Sequence, residues 1–235
     1  MKITSKLLLS TILLLASGSV RAESALEITG NRYDFGIVPQ NAVVSQYFWF
    51  KSIGKDTLQI LELKTGCDCA TMPLERTWIA PGDSMKVGLQ WNTEHRIGGI
   101  GRYPYIMTNA RTEPYRIFLT ADATNKPDSA FPICARPFIL SLAKTATTAI
   151  DSLAFRLVNR SEQDIALRIV SHMPAQVEIV VPSLIKAKSE IVAYIKVKPE
   201  FLNQEFSESI TIMTDDTKET RLTIPISRKI YITSK

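Results

Sequence analysis

Cysteine and histidine are scarce in this sequence, which has 3 Cys and 2 His among 235 residues. Three cysteines are too few to frame a disulfide-rich scaffold, so a chain of this length must be stabilised by apolar cores. The two histidines, His95 and His172, are far apart, and no HExxH, P-loop or GxSxG motif is present. These absences exclude the corresponding protease, nucleotide-binding and hydrolase classes, and they predict a protein that is not an enzyme and has no cofactor.

Basic clusters are also absent, although the formal net charge is +5. Three of the 28 Lys and Arg residues stand in the first 22 positions, where no acidic residue balances them. The remaining Lys and Arg residues form no stripe or run of the kind that nucleic-acid-binding proteins carry. We therefore predict no nucleic-acid partner.

Long apolar runs occur only at the N-terminus, where two lysines precede the apolar stretch Leu7–Ala16. Small residues follow and end in the cleavage pattern Val20-x-Ala22, which predicts that residues 1–22 are a cleaved signal peptide. The first cysteine is Cys67, so a lipoprotein is not expected. The sequence thus predicts an exported protein, periplasmic or associated with the cell envelope, without a transmembrane segment in the mature chain. Disulfides persist in such a compartment.

The remaining sequence is rich in short alternating runs and has no long 3.6-residue apolar period. In the run VVSQYFWF, Val44, Phe48 and Phe50 share one face and Ser45, Tyr47 and Trp49 share the other. Turn-forming residues separate the runs, which predicts β-sandwich architecture. The predicted strands of the first half are Val43–Phe50, Thr57–Leu63, Met85–Trp91, Tyr105–Thr108 and Tyr115–Thr120.

The chain also divides into two similar halves. Three stretches match in the same order at an offset of about 106 residues: FWFKSIGKDTLQIL with FRLVNRSEQDIALRI, IAPGDSMKVGLQW with IKAKSEIVAYIKV, and YIMTNARTEPYRIFL with TIMTDDTKETRLTI. Three prolines interrupt the stretch between the halves, which indicates a linker. We predict tandem domains at residues 24–124 and 131–235, with residues 125–137 as the linker and entry strand of the second.

The first half resembles an exported bacterial family known as domain of unknown function 1573, which is related to the immunoglobulin-like Hydin (ASH) and major-sperm-protein domains. The matching stretches are YDFGIVPQNAVVSQYFWFKSIGKDTLQI, GCDCATMP, IAPGDSMKVGLQWNTEHRIGGIG and YIMTNARTEPYRIFLTADA, within residues 33–123. The chain departs from the family at Ser52, where the family usually has Asn, and at Asp68, where it usually has Gly. The resemblance implies an all-β chain of two tandem immunoglobulin-like sandwiches, the second divergent, and no established chemistry.

The segment KTGCDCATMP holds the residues with the most reactive side chains. Four interpretations remain open: a local Cys67–Cys69 disulfide, a bond from Cys134 to one of this pair, a soft-metal site with Cys67, Cys69 and His95 as ligands, and inert packing. In an extended strand the paired Cα atoms would lie about 6.6–6.8 Å apart, so a local disulfide requires a bent corner. Asp68 adds a negative charge that is expected to blunt thiol reactivity.

The triplet Asp-[Ser/Thr]-apolar occurs four times, where composition predicts roughly one occurrence. It resembles the O-glycosylation acceptor of exported Bacteroidetes proteins, although Asp-Ser is equally good turn chemistry before a strand. The candidate acceptors are Thr57, Ser84, Ser129 and Ser152.

These features predict a non-catalytic exported protein that acts as an interaction or structural module in the cell envelope. Its expected partner is an envelope or surface protein bound at a sheet edge or an end loop. The alternative is a redox or soft-metal (copper) protein that uses the Cys-x-Cys of the first domain.

Overall fold

A computed structural model of the chain describes residues 23–231, so the predicted signal peptide lies outside the described residues. Strands account for nearly all regular structure in this range. The first half contains β1 (Leu26–Thr29), β2 (Arg32–Pro39), β3 (Val43–Ser52), β4 (Leu58–Lys64), β5 (Ala70–Thr71), β6 (Trp78–Ile79), β7 (Ser84–Asn92), β8 (Gly98–Arg102), β9 (Tyr105–Thr108), β10 (Arg111–Arg116) and β11 (Phe118–Thr124).

The second half begins after a 3-10 turn (Pro127–Ser129), and another 3-10 turn (Pro199–Phe201) lies within it. Its strands are β12 (Ile133–Arg136), β13 (Leu140–Ser141), β14 (Lys144–Thr145), β15 (Ser152–Asn159), β16 (Ile165–Ile169), β17 (Val177–Val180), β18 (Leu184–Ile185), β19 (Glu190–Val197), β20 (Phe206–Thr214), β21 (Arg221–Arg228) and β22 (Ile230–Tyr231). The predicted all-β class is confirmed. Within residues 23–231 no helix is long and apolar enough to cross a membrane.

The sheets enclose two hydrophobic cores, each built from one half of the chain. The first core draws on residues between 26 and 123 and includes Phe35, Phe48, Phe50 and Trp91. The second draws on residues between 130 and 226. Sheet β1-β3-β7-β5 in the first half has the same strand order as sheet β12-β15-β19-β17 in the second.

Individual contacts also recur between the halves. The Gln59 amide donates to Asn109 Oδ1 at 2.9 Å, and the Ala166 amide donates to Asp215 Oδ1 at 2.9 Å. Strand β2 runs parallel to β11, as β13 runs parallel to β21. The matched sequence stretches thus occupy the same places in the two halves.

One sheet continues from one half into the other. Its order is β18-β16-β20-β21-β2-β11-β8, and β2 meets β21 in parallel at Ile37 and Leu222. Gly36 permits this close approach, since its φ is +63° and a Cβ on it would lie 2.2 Å from the Arg221 carbonyl oxygen. The Thr223 hydroxyl donates to the Phe35 carbonyl beside it.

Two details differ from the sequence expectations. The predicted strand Tyr115–Thr120 is interrupted at Ile117, whose amide donates to the Pro104 carbonyl instead of continuing the ladder. Ser45, on the face opposite Val44 and Phe48, is buried because β20 of the second half covers it.

Candidate functional site

The Cys67–Cys69 pair lies at a bent corner between β4 and β5. Gly66, with φ +86°, turns the chain out of β4, and the Cα atoms of Cys67 and Cys69 are 5.2 Å apart. This separation is shorter than the 6.6–6.8 Å of an extended strand, and the two sulfurs are at disulfide distance. Of the four interpretations, the local Cys67–Cys69 disulfide is the one that agrees with this geometry.

A guanidinium lies directly against both sulfurs. Arg102, the last residue of β8, places Nε 3.1 Å from Cys67 Sγ and 3.1 Å from Cys69 Sγ. Its Nη1 donates to the Gly101 carbonyl at 2.7 Å, and its Cζ is 5.4 Å from the centre of the Trp91 ring. No carboxylate pairs with Arg102 among the ion pairs of the described residues.

Sequence reasoning missed Arg102, because only the pairing of β8 with β11 brings it to the corner. The charged residue that the sequence identifies at this corner is Asp68, which is exposed. The structure adds a cation in contact with the two sulfurs, so Arg102 and Asp68 bring opposite charges to this corner. The Gly-rich strand sequence GGIGR is a weak signal for this arrangement.

The corner is open to solvent on one side. A groove of ≈ 760 Å³ runs along the turn from β4 to β5, and Cys67 is part of its wall whereas Cys69 is not. Both cysteines are half-buried, with the first hydrophobic core behind them. A reagent in this groove therefore reaches Cys67 first.

The bond predicted as an option between Cys134 and the pair is wrong. Cys134 is a free thiol on β12, fully buried in the second core, and burial raises its pKa. Its side chain packs in the second hydrophobic core. It therefore takes no part in the Cys67–Cys69 corner.

The predicted three-ligand metal site is not assembled either. His95 is an exposed residue of the β7–β8 connection. In the stretch from 23 to 231, no three His, Cys, Asp or Glu side chains are grouped so that they could hold a metal ion. Cys67, Cys69 and His95 thus do not form the expected soft-metal cluster.

The four glycosylation candidates are on the surface, but to different extents. Thr57, Ser129 and Ser152 are exposed, whereas Ser84 is half-buried at the start of β7. The Ser129 hydroxyl donates to the Lys126 carbonyl at 2.7 Å. Modification of these residues stays a prediction.

Strand β8 forms the end of the sheet that joins the two halves. It pairs antiparallel with β11, with Gly99 opposite Asp122, Ile100 opposite Ala121 and Arg102 opposite Leu119. In the described chain no strand lies on its other side. This edge ends at the cysteine corner.

The junction of the two halves is a buried polar network. Ser45 Oγ donates to Glu208 Oε2 at 2.8 Å, and the Tyr47 hydroxyl donates to Glu208 Oε1 at 2.7 Å. Burial, followed by this carboxylate, raises the pKa of the Tyr47 hydroxyl. The Ser209 amide donates to Ser45 Oγ at 2.8 Å, and the Ser45 amide donates to Ser209 Oγ at 2.9 Å.

His172 lies at the margin of this network. Its ring packs edge-on against Tyr47, with centroids 4.9 Å apart, and Lys86 Nζ is 2.7 Å from His172 Nε2. Desolvation and then the Lys86 charge lower the pKa of His172, against the opposite effect of Glu208. The imidazole is therefore favoured in its neutral form, which can accept a hydrogen bond from Lys86.

No curated protein matches the chain. Solved structures match it at low identity. A protein of unknown function from Porphyromonas gingivalis W83 is 10% identical, with 87% of this chain and 99% of that chain covered and a TM-score of 0.37. An ASH/PapD-like domain of human CEP192 is 9% identical (49% and 96% covered, TM-score 0.38), and the CupB2 chaperone of Pseudomonas aeruginosa is 10% identical (85% and 98% covered, TM-score 0.31).

The comparison with family models gives a more specific result. Residues 26–123 match the model described as protein of unknown function (DUF1573). This range begins and ends with the first hydrophobic core, and it contains β1 to β11 almost completely. The resemblance seen in the sequence is thus confirmed: residues 26–123 of this chain match the DUF1573 family model.

Proposed function

We propose that the protein is an exported, non-catalytic interaction module of the cell envelope, which binds an extended segment of a partner protein along the free edge of β8. The observation that carries this proposal is the unpaired outer edge of that strand. A sheet edge presents a row of backbone N–H and C=O groups, which an added strand can pair with. The partner is an envelope or surface protein, and no nucleic acid or cofactor takes part.

The register of β8 determines which groups face outward. Residues opposite each other in an antiparallel pair alternate between hydrogen-bonded and non-hydrogen-bonded pairs. Arg102 donates to the Gly101 carbonyl, so that carbonyl faces away from β11. By the same alternation Gly99 faces outward, and neither glycine has a side chain to obstruct an incoming strand.

The corresponding edge of the second half is already used for docking. Met107 and Met213 hold the same place in the matched stretches YIMT and TIMT, an offset of 106 residues (213 − 107), so the start of β20 corresponds to β8. There the first half supplies the partners: Gln90 Nε2 donates to the Ser207 carbonyl at 2.9 Å, and Ser45 Oγ accepts from the Ser209 amide. The free β8 edge is the equivalent surface, and no strand among the described residues pairs with it.

Several other edges among the described strands are less suited to strand addition. Strand β10 carries Pro114 and two arginines, and β12 lies between Pro132 and Pro137. Strands β5, β6 and β18 have two residues each. Proline, charge and short length are the usual means of blocking an edge. Strand β8 contains no proline, and its one charged residue is Arg102 at its end.

Export is inferred from the N-terminal sequence alone, where a basic start, an apolar run and a small-residue cleavage pattern follow one another. A non-catalytic role is inferred because the site residues form a disulfide corner and a sheet edge, without a nucleophile and base in contact. These two inferences make the envelope the place to search for the partner.

A pair of substitutions at Gly99 tests the binding edge. A Cβ on Gly99 would have no atom within 4 Å, so the position tolerates a side chain. Gly99→Pro removes the outward N–H, whereas Gly99→Ala keeps it. We expect the protein to capture a discrete partner from envelope extracts, Gly99→Ala to retain that partner, and Gly99→Pro to lose it.

Thermal melts of both variants by circular dichroism serve as the fold control. Capture of the same partner by Gly99→Pro and Gly99→Ala at equal yield would show that β8 is not the binding edge. Turnover of an ester, peptide, glycoside or phosphate substrate by the purified protein, lost on a point mutation, would contradict the non-catalytic role.

A further inference from the structure

The Cys67–Cys69 corner combines three features that a structural crosslink does not need. The pair spans a loop of one residue, so it restrains very little of the unfolded chain. Cys67 borders an open groove. A guanidinium contacts both sulfurs at 3.1 Å, although no carboxylate in the described ion pairs accompanies it.

The second half serves as an internal comparison. Pairing of Ala70 with Trp91 and of Val177 with Val197 aligns the cysteine corner with the segment around Pro174 and Gln176. That half forms its core without a disulfide, and Glu208 stands where the first half has Arg102. The cation and the cysteine pair are thus present together in one half and absent together from the other.

From this geometry we propose that Cys67–Cys69 is a thiol–disulfide exchange site for protein dithiols, in which Cys67 is the attacked sulfur and Arg102 stabilises the departing Cys69 thiolate. The thiolate of an incoming dithiol attacks Cys67 Sγ, the Cys67–Cys69 bond breaks, and its electron pair leaves on Cys69 Sγ. The second thiolate of the dithiol then attacks the mixed disulfide and releases Cys67. The dithiol is oxidised to a disulfide by two electrons, and the pair is reduced to two thiols.

Arg102 fits the role of stabilising the leaving group. Exchange is faster when the leaving thiol is more acidic, and a neighbouring cation favours the thiolate over the thiol. Because Nε is equidistant from the two sulfurs, the same cation also stabilises the Cys67 thiolate in the reverse reaction. The guanidinium also lies over the Trp91 ring, with Cζ 5.4 Å from the ring centre.

The inference goes beyond the proposed binding function and does not require it. A small thiol such as glutathione can react at Cys67 whether or not a strand binds at β8. Failure of the exchange test is therefore distinguishable from failure of the partner-capture test.

The first experiment measures reduction of the purified full-length protein by glutathione, with free thiols counted by alkylation and intact mass. Cys134 contributes one thiol in every sample after denaturation. We expect Arg102→Gln to slow reduction about tenfold. Arg96→Gln, at an exposed arginine of the β7–β8 connection, is the matched control and should react like the wild type.

The second readout is thiolate absorbance of the reduced protein as a function of pH. We expect thiolate formation in Arg102→Gln to shift to higher pH than in the wild type, because the cation is lost. If Arg102 had only a structural role, the two curves would coincide. Arg102→Lys retains a positive charge and should recover part of the shift. Equal reduction rates and superimposable curves for wild type and Arg102→Gln would overturn the proposal.

A third comparison assigns the attacked sulfur. Cys69→Ser leaves Cys67 in the groove, and Cys67→Ser leaves Cys69 behind it. Incubation with oxidised glutathione should form the mixed disulfide faster in Cys69→Ser. Faster modification of Cys67→Ser, or a wild-type pair that resists glutathione altogether, would also overturn the proposal.

Discussion

Asn159 and Ser52 occupy corresponding positions at the ends of β15 and β3. Asn159 is buried, its Nδ2 donates to the carbonyls of Gln163, Ile185 and Lys186, and its Oδ1 accepts from the amide and hydroxyl of Ser161. Ser52 is equally buried, yet its Oγ has no hydrogen-bond partner. The Asn159 amide therefore organises the turn of the second half, whereas the Ser52 side chain makes no hydrogen bond in the turn of the first.

This contrast predicts unequal effects of the same truncation. Asn159→Ala should lower the free energy of unfolding by about 2–3 kcal/mol, because several buried carbonyls lose their donor. Ser52→Ala removes a hydroxyl without partners and should change it by less than about 0.5 kcal/mol. Urea unfolding of the two variants checks this, and an equal loss in both would contradict the explanation.

Single residues differ in how far their roles can be read from sequence. The Asn-to-Ser departure at position 52 is visible from the family pattern, and its location in a turn follows from the neighbouring residues. The contact of Arg102 with Cys67 and Cys69 is not visible, because it joins positions more than 30 residues apart. The sequence therefore identifies the negative charge of Asp68 at the cysteine corner but not the positive charge beside the sulfurs.

At the scale of elements, the turns before β7 and β19 correspond to each other but have different residues at one position, a glycine in the first half and a lysine in the second. Gly82 has φ +77° and Lys188, at the corresponding place, has φ +53°. Side chains other than glycine adopt this left-handed conformation at a cost of about 1–2 kcal/mol. Lys188 also makes contacts that offset part of this cost, including a 2.8 Å ion pair with Glu162.

Comparison of two variants isolates the backbone contribution. Lys188→Gly and Lys188→Ala both lose the ion pair, but only the glycine relieves the left-handed conformation. We expect Lys188→Gly to be more stable than Lys188→Ala by about 1 kcal/mol in urea unfolding. An alanine variant as stable as the glycine variant would show that the turn carries no such cost.

Strand positions are the part of the fold that the sequence predicts best, because side-chain alternation is a local property. The prediction Val43–Phe50 corresponds to β3, and Met85–Trp91 corresponds to β7. Ser45 follows the alternation but is buried, since the element that covers it is about 160 residues away in sequence. Pairing between distant strands leaves no comparable local pattern.

At the scale of the whole molecule, the two halves are joined by strand pairing as well as by the chain. Beside the Gly36 contact, the Tyr33 hydroxyl donates to Thr211 Oγ1 at 2.8 Å, and Arg221 Nη1 donates to the Asp34 carbonyl at 3.0 Å. The Ser45–Glu208 network lies on the same side of the junction. Unfolding of one half therefore removes hydrogen-bond partners from the other, which couples their stabilities.

Gly36→Ala tests this coupling, with Gly30→Ala as its control. Both glycines have positive φ, +63° and +66°, but a Cβ on Gly30 meets no atom within 4 Å whereas one on Gly36 meets the Arg221 backbone. Gly36→Ala should therefore force β2 and β21 apart and cost about 2 kcal/mol more than Gly30→Ala.

The coupling itself can be followed with two probes, because all three tryptophans, Trp49, Trp78 and Trp91, lie in the first half. Fluorescence thus reports the first half, and circular dichroism reports both. We expect coincident urea transitions for the wild type and Gly30→Ala, and separated transitions for Gly36→Ala, since the halves then unfold independently. Coincident transitions in Gly36→Ala, with a loss of stability no larger than in Gly30→Ala, would mean that the β2–β21 pairing does not couple the two halves.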